Sequence, residues 1–282
     1  MVATDQRESL RTIYREATGA LVDDEVLRRF KVSAARVLTP FASAILVDRD
    51  YGLGPILTAD ALDPGCGLIV AADALVQEPG GPVTDSDLDA GLSPATVRVQ
   101  GAVALKLLII WRDDGERERR HRLAETFIGS CRTAGLLSVV EAVVRAPAGA
   151  ELHWDREAAA LEAAREIGAL RPDLYKAEMP YLGQAEAAQM QEGSQALTEA
   201  AGRPWVVLSA GVPLQRFEAA VESACHGGAS GFLAGRAIWS DAITLDGLEA
   251  RLEAISAPRL RRLGKLVDAV ARPWWDAAGV PT

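Results

Sequence analysis

Cysteine, histidine and aromatic residues are all scarce in this chain. Its 282 residues hold three cysteines and three histidines, and Phe, Trp and Tyr together make up 5%. Cys66, Cys131 and Cys225 stand far apart and show no CxxC or Cys/His ligand spacing. That excludes a disulfide framework and gives no support to a zinc site, so three buried free thiols and no metal are expected. No GxGxxG follows the first apolar run, which argues against a dinucleotide-binding fold. No apolar run approaches the roughly 20 residues needed to cross a bilayer. The opening MVATDQRESL has neither a basic n-region nor a long apolar h-region, so it does not read as a signal peptide. A cytoplasmic protein with no membrane partner is expected. Positive charge is also in deficit. A net charge of −9 argues against a nucleic-acid groove, while leaving room for a small anion held by a few local Arg and Lys side chains.

What is present is an ordinary globular composition, 49% apolar and 24% charged. Short β-branched runs alternate with longer amphipathic stretches from end to end. Strands are expected at Val2–Asp5, Ser43–Val47, Gly67–Ala72, Val103–Ile110, Leu136–Val143, Asp173–Ala177, Trp205–Ser209 and Gly231–Gly235. Helical patterns cover Asp24–Val37, Glu116–Ala134, Asp155–Ala169, Gln184–Ala201, Pro213–His226 and Leu245–Val270. Runs such as ALKLLII (104–110) and SVVEAVV (138–144) read as strands buried on both faces, as parallel sheets require. Eight such alternations predict an α/β fold, a (β/α)8 TIM barrel forming a single domain over residues 1–282, with an open doubly wound sheet as the second choice. Gln77–Leu92, rich in Gly, Pro and Asp, reads as a long loop after the third strand. The first strand begins almost at Met1, so the barrel is expected to be thinly closed there.

Reactive groups of such a barrel sit at the C-terminal ends of its strands, so charged residues that interrupt apolar strands are the candidates. Lys176 interrupts DLYKAEMP. Desolvation there favours the neutral amine that attacks a ketone, and the plain alternative is a lysine snorkelling outward. Lys106 lies inside ALKLLII. It reads as a second ammonium that discourages charge on Lys176, as a substrate contact, or as half of a structural ion pair. Glu141, inside SVVEAVV, must be paired or must move protons, because an isolated buried charge is too costly. Asp5, Gln6 and Arg7 close the first strand. The arginine fork suits phosphate or sulfonate, and a plain helix-start Asp is the alternative. Ser209 and Gly211 in LSAGV, and Gly235 and Arg236 in LAGRAIW, read as a phosphate cradle or as tight turns without a ligand. His121, His153 and His226 fall at no strand end. Trp274 and Trp275 are expected to pack the last helix or an oligomer interface.

With those residues in hand the chain resembles the tagatose-bisphosphate aldolase family of class I aldolases. DQR at the first strand, LKLL around Lys106, Glu141, YKAEMP, LSAGV and GRAIW occur in that family's order. The segments 30–48, 68–75, 104–112 and 228–239 are most similar to the family's sulfosugar branch, whose members cleave 6-deoxy-6-sulfofructose 1-phosphate. One departure is Ala142, where proline is usual. The resemblance implies that Lys176 is the Schiff-base lysine, Glu141 the acid/base and Lys106 the strand lysine beside them. It implies that Asp5, Gln6 and Arg7 contact substrate and that Ser209, Gly211, Gly235 and Arg236 hold a phosphate. Arg7 and Arg145, the latter four residues beyond Glu141, are the candidates for a sulfonate. A phosphorylated ketose is the expected small-molecule partner, with no cofactor and a homo-oligomeric assembly. Tagatose or fructose bisphosphate is the alternative substrate, and a phosphosugar-binding barrel without catalysis is the alternative of another class.

Overall fold

A computed structural model of the chain describes residues 1–78, 81–150 and 152–278. Its strands are β1 (Val2–Ala3), β2 (Ala44–Val47), β3 (Gly67–Ala71), β4 (Asp73–Gln77), β5 (Val83–Leu88), β6 (Ala102–Trp111), β7 (Leu137–Val144), β8 (Leu174–Ala177) and β9 (Trp205–Val207). The helices are α1 (Glu8–Thr18), α2 (Asp24–Leu38), α3 (Gly54–Thr58), α4 (Pro94–Val99), α5 (Arg117–Ala134), α6 (Arg156–Ala169), α7 (Ala187–Ala201), α8 (Phe217–His226), α9 (Arg236–Trp239), α10 (Leu248–Arg251), α11 (Ala257–Val270) and α12 (Trp274–Ala278). One sheet of seven parallel strands runs β1-β2-β3-β6-β7-β8-β9 and curls on itself.

The expected eighth strand over 231–235 is replaced by two isolated bridges, Phe232 to Val207 and Ala234 to Val2. Backbone hydrogen bonds from Leu233 N to Val207 O (2.9 Å) and from Ala3 N to Ala234 O (2.8 Å) link the two sheet edges through this segment. Gly231, at φ 127°, leaves the strand region on one side, and α9 begins immediately after Gly235 on the other. Too few residues remain extended for a ladder.

Alternation along the strands sorts side chains into two populations. Ala44, Leu46, Ile69, Ala71, Ala104, Val139, Leu174, Val206 and Leu233 form one apolar cluster inside the curl. Their neighbours Ile45, Val47, Leu68, Val70, Leu105, Val140, Tyr175 and Trp205 belong to the larger cluster between sheet and helices. Lys106, Glu141 and Lys176 share the parity of Ala104, Val139 and Leu174, so all three point inward, one step above the interior cluster. Trp274 and Trp275 stack edge to face (centroids 6.2 Å apart) and line a cavity of about 910 Å³ at the N-terminal end of the strands, away from these charges.

Two segments differ from the sequence expectation. Gln77–Leu92 is not a long loop, because β4 and β5 pair antiparallel, Asp73 opposite Leu88 and Leu75 opposite Ser86. The acidic, polar composition of VTDSDL hides the strand, whose backbone ladder does not depend on apolar side chains. Pro79 and Gly80 lie outside the described residues. Leu75 and Val83 pack on Leu108, Ile110, Val143 and Leu208, so the hairpin roofs the C-terminal mouth of the sheet. Helix α1 is the second difference. It buries Leu10 and Tyr14, one turn apart, on the core. The cysteines are free and buried as expected, and burial pushes Cys66 up to about 11 and Cys131 and Cys225 up to about 12.

Helix α2 delivers a fully buried lysine behind the first strand. Lys31 Nζ donates to the carbonyls of Thr4 (2.6 Å) and Gln6 (2.8 Å) and to the carboxylate of Asp48. Asp48 in turn accepts from Tyr51 N at 2.7 Å. All three ammonium protons are therefore used, and the two carbonyls on either side of Asp5 are pinned. Replacing Lys31 by Met strands a buried carboxylate, which should cost about 3–5 kcal/mol of unfolding free energy in a urea titration. The double replacement Lys31→Met/Asp48→Leu should recover most of it. A single variant within about 1 kcal/mol of wild type would show that the pair does not hold this corner.

Candidate active site

Four strands and the segment after β1 bring six charged side chains together. Lys106 Nζ lies 2.8 Å from Asp5 Oδ2, 2.9 Å from Asp73 Oδ2 and 3.2 Å from Glu141 Oε2. The same Glu141 oxygen accepts from Lys176 Nζ at 2.9 Å. Glu141 and Lys176 are register partners on adjacent strands and β6 is the next strand over, which is why the two lysines flank one carboxylate. Asp5 follows β1 by two residues, and Asp73 opens β4 after the single residue Ala72. Arg7 Nη1 and Nη2 both donate to the Asp73 carbonyl at 3.1 Å, and Nη2 faces Asp73 Oδ1 at 3.4 Å.

The electrostatics follow from this geometry. Burial alone pulls Lys106 down, but Asp5, Asp73 and Glu141 together lift it well above the ordinary lysine value. It stays an ammonium. Burial works to raise Asp5, and Lys106 and Lys176 more than offset it, holding Asp5 well below the usual carboxylate range. Glu141 is lowered in the same way, burial opposing and Lys176 and then Lys106 prevailing. Lys106 is thus committed to three anions, whereas Lys176 has one partner among the described residues.

A cavity of about 120 Å³ opens onto this cluster, lined by Asp5, Gln6, Arg7, Lys106, Glu141 and Lys176 together with Glu8, Ser9, Leu75, Gln77, Val83 and Leu108. Among the described residues, buried Gln6 Oε1 has no hydrogen-bond partner, and Arg7 Nε has none closer than the Asp50 carboxylate at 4.0 Å. The structure therefore gathers six of the residues singled out from the sequence. Ser209 lies buried just past β9, and Gly211 sits at φ 80° against Leu182, both outside that cavity lining. Gly235 touches the cluster indirectly: a Cβ there would lie 2.7 Å from Ala3 O and 2.8 Å from Gln6 Nε2, so only glycine fits. Arg236 is exposed on α9, and Arg145 folds back so that its Nη1 donates to Val144 O at 2.9 Å. Arg7 is occupied by Asp73. The residue that sequence reasoning missed is Asp73 itself, although it stands in the LIVAADAL segment; the signal was a carboxylate ending an apolar strand run.

Three comparisons place this geometry among known proteins. The family model for DeoC/LacD family aldolases matches residues 1–241. The tagatose 1,6-diphosphate aldolase of Listeria monocytogenes serotype 4a is 27% identical, the match covering 99% of this chain and 90% of that protein. Among solved structures, fructose-bisphosphate aldolase from Plasmodium falciparum, in complex with TRAP and a small-molecule inhibitor, superposes with a TM-score of 0.68 at 13% identity. That match covers 96% of this chain and 90% of the other. A Schiff-base-forming fructose-1,6-bisphosphate aldolase superposes with a TM-score of 0.62 at 18% identity, covering 94% and 93% of the two chains. At those identities the two structures establish a shared fold.

The charge cluster generates a test of its own. Asp5 and Glu141 have folded-state values below their unfolded ones, so their stabilisation is full above the ordinary carboxylate range and is lost as pH falls below it. The urea midpoint of the wild type should drop between about pH 6 and about pH 3. In Lys106→Met the carboxylates lose their shared cation, so acidification relieves repulsion and the drop should shrink or reverse. An identical drop in both proteins would show that Lys106 does not hold these carboxylates in solution.

Proposed function

The chain belongs to the DeoC/LacD aldolase family and is an aldehyde-lyase, and we propose that it works through a Schiff base on Lys176 within a closed, single-domain (β/α)8 barrel. The observation that carries this reading is the unequal sharing of carboxylates between the two lysines. Lys106 is fixed as an ammonium by three, and among the described residues Lys176 meets only Glu141, the carboxylate placed to take its proton.

The Lys176 amine attacks the C2 ketone of a ketose 1-phosphate, and Glu141 moves the protons as the carbinolamine loses water to give the iminium. Loss of the C4 hydroxyl proton breaks the C3–C4 bond, its electron pair moving into the iminium to give an enamine. The aldehyde leaves, C3 takes up a proton, and hydrolysis of the imine releases dihydroxyacetone phosphate and the free lysine. Lys106 keeps Glu141 and Asp5 oriented throughout. Gln6, which lines the cavity and whose Oε1 has no hydrogen-bond partner among the described residues, is suited to a substrate hydroxyl. The backbone around Ser209, Gly211 and Gly235, with Arg236, is our candidate for the phosphate.

The substrate's far end divides the readings. The relatives named tagatose 1,6-diphosphate aldolase favour a ketose bisphosphate. Segments 30–48, 68–75, 104–112 and 228–239 favour 6-deoxy-6-sulfofructose 1-phosphate, cleaved to dihydroxyacetone phosphate and 3-sulfolactaldehyde. Arg7 and Arg145 are both engaged within the protein, so the geometry lends the sulfonate reading no support of its own. We therefore place tagatose 1,6-bisphosphate first.

Borohydride with dihydroxyacetone phosphate should leave a covalent adduct on Lys176, and Lys176→Met should leave none. Absence of an adduct on the wild type would sink the Schiff-base reading. Glu141→Gln should reduce kcat by about 10²–10⁴-fold. Comparing kcat/KM for tagatose 1,6-bisphosphate, fructose 1,6-bisphosphate and sulfofructose 1-phosphate ranks the substrates. A preference for the sulfosugar of more than about 10-fold, equivalent to about 1.4 kcal/mol, would put the sulfosugar ahead of the bisphosphate.

A further inference from the structure

We infer that Asp73 is a positioning residue of this active site, tying Lys106, Arg7 and the β4–β5 hairpin into one unit and so setting how much of the Glu141 charge is left for Lys176. The inference rests on Lys176 being the attacking amine.

Asp73 is 2% exposed, and every polar atom of its side chain is occupied. Oδ2 accepts from Lys106 Nζ at 2.9 Å and from Leu108 N at 3.1 Å. Oδ1 and the backbone carbonyl hold the Arg7 guanidinium. The residue is also the first of β4, so the roof over the cavity and the charge cluster beneath it share a single residue.

The consequence for Lys176 runs through Glu141. Of the three carboxylates on Lys106, Glu141 is the most distant, at 3.2 Å, and it is the one shared with Lys176. Asp5 and Asp73 at 2.8 and 2.9 Å satisfy most of the Lys106 charge and keep it from drawing Glu141 across. Without Asp73, one ammonium proton loses its acceptor and Lys106 turns toward Glu141, whose oxygen is then a poorer acceptor for the proton on Lys176. The charged groups that meet Lys176 and its partner are Glu141 from β7, Lys106 from β6 and Asp5 beyond β1, while β9 contributes the apolar Val206. Glu178, two residues along from Lys176, is turned to Val144 N (2.8 Å) and Arg156 (3.2 Å). Asp73 itself is met by Arg7 and Lys106, and Arg7 also lies 4.0 Å from Asp50.

The test is the pH profile of cyanoborohydride trapping with dihydroxyacetone phosphate, in the wild type and in Asp73→Asn, which keeps the shape and removes the charge. Removing one negative charge from the cluster should move the acid limb of the trapping rate to lower pH by about one unit. The plateau should fall on the order of 10-fold as Glu141 is drawn away. A residue that only braces the fold would lower the plateau or the melting temperature and leave the limb in place, and that outcome overturns the inference. Should Asp73→Asn not fold, Lys106→Met and Lys106→Met/Asp73→Asn form the second comparison, the double variant exchanging a buried ion pair for neutral groups. With no Lys106 ammonium left to draw Glu141 away, the double variant should match Lys106→Met in both limb and plateau, and a further fall of the plateau or a displaced limb overturns the inference equally. A wild type that forms no adduct on Lys176 is a separate result, which removes the Schiff-base reading itself.

Discussion

One buried ammonium organises this molecule. Lys106 Nζ is met by carboxylates from the segment after β1, from the start of β4 and from β7, all within 3.2 Å. An isolated charge at 2% exposure would be prohibitively expensive, and three carboxylates crowded together without a cation would repel one another. Each side makes the other tolerable. Three carboxylates, Asp5, Asp73 and Glu141, stand against three basic side chains, Lys106, Lys176 and Arg7, and the sheet closes around them. Because the anions come from different parts of the sheet, the interaction also fixes where β1, the hairpin and β7 sit relative to β6. Lys31 repeats the device behind the first strand, pinning the carbonyls on either side of Asp5 from outside the sheet.

A balanced cluster could be inert. What gives it chemical character is its asymmetry: the two lysines lie on either side of one glutamate oxygen, yet Lys106 has two further carboxylates and Lys176 has no other in hydrogen-bond reach among the described residues. A lysine fixed by three anions is a poor nucleophile, since its lone pair is held by a proton that has every reason to stay. Lys176, by contrast, has one carboxylate beside it among the described residues, Glu141 at 2.9 Å. The sequence expectation that Lys106 acts by repelling charge from Lys176 is therefore modified. Its larger effect is on the carboxylates, which it orients and keeps ionised.

How much of this was legible in the sequence depended on whether a residue broke a pattern. Lys106, Glu141 and Lys176 each interrupt a β-branched run, and period-two alternation then places all three on the same face. Asp73 also interrupts an apolar run, LIVAADALV (68–76), but it stands one residue past the expected strand Gly67–Ala72, and the hairpin was lost because VTDSDL is acidic and polar. Lys31 was hidden differently. In DEVLRRFKVSAARVL a lysine looks like solvent-facing helix, but Leu27, Lys31, Ala34, Ala35 and Leu38 share one face, and that stripe is buried. A lysine on the apolar stripe of a helix carries the same information as a lysine in an apolar strand. The eighth position is visible in the apolar residues 231–235 but is realised as two bridges, because Gly231 and Gly235 leave too little extended backbone for a ladder.

The same interactions constrain where substrate charge can be bound. Among the described residues lining the cavity, Lys106 is saturated, Arg7 spends its guanidinium ends on Asp73, and Lys176 is the group read as reacting. None of them is left over to neutralise a phosphate or sulfonate. On the proposed reading, the cavity beneath the hairpin takes the uncharged middle of a sugar, its ketone and hydroxyls toward Lys176, Glu141, Asp5 and Gln6. Anionic ends must reach outward to the strand-end loops. On one side those loops already supply glycines at 211 and 235, the second in place against Gln6, with Arg236 exposed on the helix that follows. Discrimination between substrates that differ only in the terminal anion then falls to loop residues outside the charge cluster. A family can keep such a cluster unchanged while its members diverge in what they cleave.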